Sequence, residues 1–102
     1  MTNRELRVAV CLAVYNGTQW LSEQIKAILD QRGVAVTVFV SVDSSTDGSE
    51  EWMDRQAAAD RRIKILPHGK QFGGATRNFF RILDEVDFSN FDYVNFTDQD
   101  DI

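Results

Sequence analysis

Apolar positions along the chain alternate between two rhythms. From Leu6 to Val14 they are nearly continuous (Leu-Arg-Val-Ala-Val-Cys-Leu-Ala-Val). Such a run predicts a strand covered on both faces, as in a parallel sheet. Tyr15-Asn16-Gly17 breaks it with turn residues. From Thr18 to Gln31 the spacing becomes helical: Trp20, Leu21, Ile25, Ile28 and Leu29 share a face, while Gln24 and Lys26 are expected to point elsewhere. Thr18 is placed to cap this helix, and Gly33 lies just past its end.

The rhythm then repeats. Val34 to Val42 is rich in β-branched residues and predicts a second strand. A polar turn, Asp43 to Ser49, leads to a helix carrying Trp52, Met53 and Ala57 and running to about Asp60, with Asp47 and Glu50 at capping-box spacing. Arg62 to Leu66 alternates as a short strand that Pro67 ends. A loop from His68 to Gly74 opens a third helix, whose expected apolar face is Phe79, Ile82, Leu83 and Val86. Phe91 to Phe96 predicts a buried fourth strand. The alternation implies an α/β fold: a mainly parallel sheet of about four strands with helices on both faces, in a Rossmann-like three-layer arrangement.

This order changes the meaning of the polar turns. In open parallel sheets, ligands bind beyond the C-terminal ends of the strands. The turns after strands one, two and four hold Tyr15-Asn16, Asp43 to Asp47, and Asp98 to Asp101, all expected on one edge. Asp98, Asp100 and Asp101 crowd three carboxylates into four positions. Carboxylates this close repel one another and favour a hard cation, Mg²⁺ or Mn²⁺, completed by substrate phosphates. A solvated acidic turn or a helix start explains the same residues. Arg77 and Asn78 fall in the first turns of the third helix, where free amides attract anions, and an Arg paired with a neighbouring Asp is the alternative.

Composition narrows the partners. The net charge of -5 speaks against a nucleic-acid binder, so a phosphate must be held by local donors or a metal. Cys11, the single cysteine, lies in an apolar run and is expected as a buried free thiol. No leader peptide or bilayer-spanning stretch is visible. Asp43, Ser45, Asp47 and Gly48 match the opening positions of an EF-hand loop, but Asp54 stands where a Glu is usual and a strand precedes the loop. His68, the only histidine, is expected as an exposed loop residue. The 102 residues are one domain or a piece of one, and their ending directly after the acidic cluster suggests the front part of a longer protein.

Four stretches together resemble the large inverting glycosyltransferase family 2, with its GT-A fold. These are Val10 to Gly17 followed by the Gln24-Ile25 to Ile28-Leu29 helix, Val42 to Ser49, Gly73 to Asn78, and Phe96 to Ile102 with its Asp-X-Asp element. The Asp-Gln-Asp-Asp version is most like bacterial rhamnosyltransferases of surface polysaccharide synthesis. The resemblance implies that residues 1–102 form the nucleotide-sugar-binding part of such an enzyme. Val14, Tyr15 and Asn16 would line the base and ribose of a dTDP- or UDP-sugar, and Asp43 would accept a hydrogen bond from the pyrimidine imide. Gly73 to Arg77 would run beside the ribose or diphosphate. Asp98 would approach the ribose or sugar and the metal, Asp100 would ligate Mg²⁺ or Mn²⁺, and Asp101 would support that geometry. The acceptor would be a glycan or a lipid-linked glycan, with the protein cytoplasmic or peripheral at the inner membrane face. The family's catalytic base lies beyond the Asp-X-Asp element, so none of these residues would serve as base and this piece alone would be inactive. Ala13, Val42 and Ser44 depart from the family's usual Pro or Thr, Asp and Gly. A non-catalytic nucleotide- or metal-binding module is the alternative from another class.

Overall fold

The structure, a computed structural model, describes residues 5–14, 18–42, 48–67 and 75–98. Its elements run β1 (Leu6–Val14), α1 (Thr18–Leu29), β2 (Val34–Val42), α2 (Ser49–Ala59), β3 (Ile63–Ile65), α3 (Ala75–Glu85) and β4 (Tyr93–Asp98). The four strands are parallel, in the spatial order β3-β2-β1-β4. The expected α/β sheet with helices on both faces is therefore present.

Alternation along the strands sorts the core into two layers. Val8, Val10, Leu12 and Val14 of β1 join Val36, Val38, Val40 and Val42 of β2 beneath Leu21, Ile25 and Ile28 of α1 and Met53 of α2. Cys11 packs with Ile82 of α3 on the opposite face, and Phe39, Val86, Phe88 and Val94 close around them. Burial pushes the Cys11 thiol up to about 11, so it stays protonated and behaves as a small apolar group. The topology explains the layering. From β1 to β3 the chain steps one way across the sheet, and from β3 to β4 it returns past both strands. Right-handed crossovers in opposite directions must use opposite faces.

The helices and outer strand depart from sequence expectation in specific places. Gln24 is 3% exposed, not turned outward, because positions 21, 24, 25 and 28 share one helical face. Trp20 and Leu83, placed on buried faces by spacing, are 37% and 42% exposed. Helix α2 begins after Gly48, which adopts φ 85; Asp47 of the expected capping box lies outside the described residues. Strand β4 starts two residues later than expected. Phe91 instead stands edge-on to Phe39 (5.6 Å between ring centroids), and Phe39 meets Phe88 in the same way. Nor is β4 buried: it is an edge strand among the described residues, and Tyr93 and Phe96 are at least half exposed.

At the N-terminal edge of the sheet, polar pins set the strand register. The Arg7 amide donates to Asp92 Oδ2 (2.7 Å), and the Asp92 amide donates to the Arg7 carbonyl (2.8 Å). Arg62 donates to both oxygens of Asp60 and, through Nη1, to the Leu29 carbonyl at the end of α1. The guanidinium hydrogen bonds and the Arg62 amide hold the Asp60 carboxyl well below its ordinary 3.8, at about 2. A depressed carboxylate stabilises the fold above its unfolded pKa and loses that effect as pH falls through the folded one. Thermal unfolding is therefore expected to show a small stability loss between about pH 4 and pH 2 that Asp60→Asn removes, worth up to about 1 kcal/mol for so solvated a pair. An unchanged acid slope in the variant would assign that loss to other carboxylates.

Candidate nucleotide site at the C-terminal edge of the sheet

Register brings the sites together. Ala13 of β1 pairs with Ser41 of β2 on one side and with Asp98 of β4 on the other. These residues form a flush row across three strand ends, about 10 Å wide at two interstrand spacings. Tyr15, Asp43 and Asp100 each follow one member of this row by two positions in sequence. The row also lies where strand order reverses, between β1 and β4, which is the crevice at which open α/β sheets bind ligands.

Helix ends supply the electrostatics. In parallel βα units the helix N-termini open on the same edge as the strand C-termini, with partial positive charge. Glu50 and Glu51 in the first turn of α2 oppose an anion there. Helices α1 and α3 carry no acidic residue in their first turns, and α3 carries the exposed Arg77. An anionic ligand is therefore favoured on the α1 and α3 side, around β1 and β4, over the α2 side.

The residues beneath the row were not singled out by sequence reasoning. On the α1 face, Gln24 Nε2 donates to Thr97 Oγ1 (3.2 Å), one residue before Asp98. On the α3 face, Arg81 Nη1 donates to Ser41 Oγ (3.0 Å), Nη2 donates to the Pro67 carbonyl, and Nε donates to Glu85 Oε2 (3.0 Å). The signal was a polar residue near the end of each strand, Ser41 and Thr97, facing a polar residue within a helix.

Of the residues expected at the site, Val14 has its side chain wholly in the core, so any ligand contact it makes is through its backbone. Arg77 lies exposed in the first turn of α3, and the backbone of Asp98 ends β4. Tyr15, Asn16, Asp43, Gly73, Asp100 and Asp101 lie outside the described residues, as do His68 and the residues 43–47 of the EF-hand match. Among the described residues, no three His, Cys, Asp or Glu side chains gather as a metal site. No described helix is long and apolar enough to cross a membrane.

Comparison with known proteins places this geometry. The chain is 44% identical over 92 residues to a dTDP-rhamnosyl transferase, RfbG, of Shigella flexneri, covering 89% of the chain and 32% of that protein. It is 30% identical over 98 residues to an uncharacterized glycosyltransferase, RC0461, of Rickettsia conorii (strain ATCC VR-613 / Malish 7), covering 96% of the chain and 15% of that protein. The chain thus spans a third or less of the length of these relatives. The crystal structure of S. aureus TarS 1-349 superposes with a TM-score of 0.74 at 20% identity, over 93% of this chain and 28% of that one, and so shares its fold. Residues 9–102 match the pattern that defines Glycosyl transferase family 2, and with it the order of the strands, the switch point and the acidic strand end find one explanation: the chain belongs to that family.

Proposed function

We propose that residues 1–102 are the donor-binding part of a metal-dependent, inverting glycosyltransferase. It would move a sugar, rhamnose by analogy with the named Shigella relative, from a dTDP- or UDP-linked donor to a glycan or lipid-linked acceptor. Its place would be the cytoplasm, at the inner face of the membrane where such an acceptor is met. The observation that carries this reading is the flush row Ser41–Ala13–Asp98 at the switch point of the sheet.

Each residue has a chemical task. Asp43, two positions past Ser41, accepts the hydrogen bond of the pyrimidine imide. The backbone of Val14 and the Tyr15-Asn16 turn shape the base and ribose pocket. Gly73 admits the ribose or diphosphate closely, and Arg77 at the start of α3 draws its charge. Asp98 contacts the ribose or sugar. The acidic strand end suits a divalent cation, because it offers only hard oxygen donors next to a site favouring a diphosphate. Asp98 and Asp100 would hold that ion and Asp101 would support them. When bound, Mg²⁺ or Mn²⁺ offsets charge on the nucleoside diphosphate leaving group. No residue of 1–102 is assigned the base that activates the acceptor hydroxyl.

Calorimetric titration with dTDP and UDP, with and without Mn²⁺ at low ionic strength, tests the reading. Metal-dependent binding of one nucleotide is expected, and the preferred base narrows the donor. Absence of binding by this chain and by one extended to the length of its relatives would overturn it, and tight binding of a phosphoryl donor instead would favour a non-catalytic module. Asp43→Ala is expected to weaken binding about tenfold or more with or without metal, since a hydrogen bond to a charged group is lost at the base. A loss confined to the metal-loaded state would give Asp43 a different role.

A further inference from the structure

Arg81 is the most heavily engaged cation among the described residues on the α3 face of the sheet. Its side chain is only 11% exposed, while its acidic partner Glu85 is 47% exposed. A guanidinium this enclosed loses much of its hydration, and one half-solvated carboxylate offsets that loss poorly. An apolar side chain beside Ile82 would pack there with less penalty. The compensation comes from Ser41 Oγ and the Pro67 carbonyl, which lie on two different strand exits. Ser41 is fully buried, two residues before Asp43. Pro67 directly follows Leu66, whose amide donates to the Val40 carbonyl (2.9 Å). One planar fork thus fixes the exit of β2 against the exit of β3.

We propose that Arg81 is a positioning residue for the donor nucleotide: it touches no ligand, but locks the β2 and β3 exits together so that the groups following them meet one ligand in a fixed relation. This rests on the proposed donor site. A fork is needed because two acceptors in different directions must be held at once. Lysine keeps the charge but presents it as a point on a flexible stem. An ordinary helix-to-sheet tie would stabilise the fold and leave affinity in the folded chain unaltered.

The test compares the parent with Arg81→Lys, Arg81→Ala, Ser41→Ala and Glu85→Gln by dTDP and UDP titration at a temperature where thermal unfolding shows each to be folded. Arg81→Ala is expected to weaken the preferred nucleotide about tenfold, with Arg81→Lys and Ser41→Ala several-fold weaker, as for loss of hydrogen bonds to a charged donor. Glu85→Gln is expected to stay within about twofold, because the Glu85 carboxylate is half solvated and the amide keeps an acceptor oxygen for Arg81. Should Arg81→Ala fail to fold, Ser41→Ala decides. Unchanged affinity in folded Arg81→Lys and Ser41→Ala would overturn the proposal and leave Arg81 a structural tie. A ligand-free arm separates this outcome from failure of the donor site itself. Amide chemical shifts of Arg81→Lys are expected to move at both Ser41–Val42 and Leu66 while those of β1 hold. If neither the parent nor the chain extended to the length of its relatives binds either nucleotide, the donor-site reading fails and that arm still decides: shifts confined to α3 would overturn the coupling.

Discussion

Asp100→Asn is expected to abolish the metal-dependent part of nucleotide binding while leaving the fold as stable as the parent. The substitution keeps the size of the side chain and one carbonyl oxygen, and removes the negative charge that makes the group a hard anionic ligand. Residues that only support metal ligands already cost about 10–100-fold in metal affinity when changed, so a direct ligand should cost about 100-fold or more. Stability should not follow. The buried layers are built from β1, β2, α1, α2, β3 and α3, and Asp100 comes after Asp98, the last residue of β4. Removing one of three crowded carboxylates also relieves repulsion in the metal-free chain. Titration with the preferred nucleotide, with and without Mn²⁺, reads the effect, and thermal unfolding of the same samples reads the fold. Affinity that still rises with Mn²⁺ as in the parent would take Asp100 out of the metal site. A fall in both affinity and melting temperature would make it a structural residue.

Such a variant could be chosen from the chain alone because the edge of the sheet was legible. The bounds of β1 and β2 coincide with the mostly apolar runs Leu6–Val14 and Val34–Val42, since strands covered on both faces are built largely of apolar residues. With two strands and three helical periods in place, right-handed crossovers constrain the rest. The polar turns then fall at one edge without any knowledge of contacts. Periodicity was weaker where burial is one-sided. It grouped Leu83 with Ile82, yet Ile82 is buried against Cys11 and Leu83 faces out. It also could not separate Phe91, which belongs to an aromatic cluster with Phe39 and Phe88, from the strand that follows.

The polar supports of the site were hidden for another reason. Gln24 was expected to point away from the apolar face and Arg81 was not singled out, because burial of a polar side chain depends on a partner far away in sequence. Thr97 is 73 residues from Gln24, and Ser41 is 40 from Arg81. Only the parallel register, which sets Ser41 of β2 beside Ala13 and Thr97 of β4 beside Leu12, brings Ser41 and Thr97 to the two sides of β1 near the strand ends. A polar residue near the end of a strand, on a face that a helix covers, is the usable sign, since it needs a hydrogen-bond partner from that helix.

Leu12→Ala is expected to be the most destabilising of these substitutions, and its effect should reach the site. Leu12 is fully buried in the central strand, with Val40 and Thr97 as neighbours across the sheet and the α1–α2 layer above. Truncating such a leucine removes its transfer free energy and leaves a cavity, a loss of about 2–5 kcal/mol. Small domains have only about 5–15 kcal/mol in total. At about 4–8 °C per kcal/mol for a chain this size, the melting temperature should fall by about 8 °C or more. Leu83→Ala is the control, because the same side chain at 42% exposure should cost no more than about 1 kcal/mol. Circular dichroism melts of both variants give the comparison. Equal shifts would mean that the α1–α2 layer is not packed on β1 as the structure has it. Because Thr97 lies beside Leu12 and holds Gln24, the cavity also loosens the support under Asp98. Nucleotide affinity of folded Leu12→Ala should therefore drop as well, whereas Leu83→Ala, on the far face and clear of that support, should bind as the parent does.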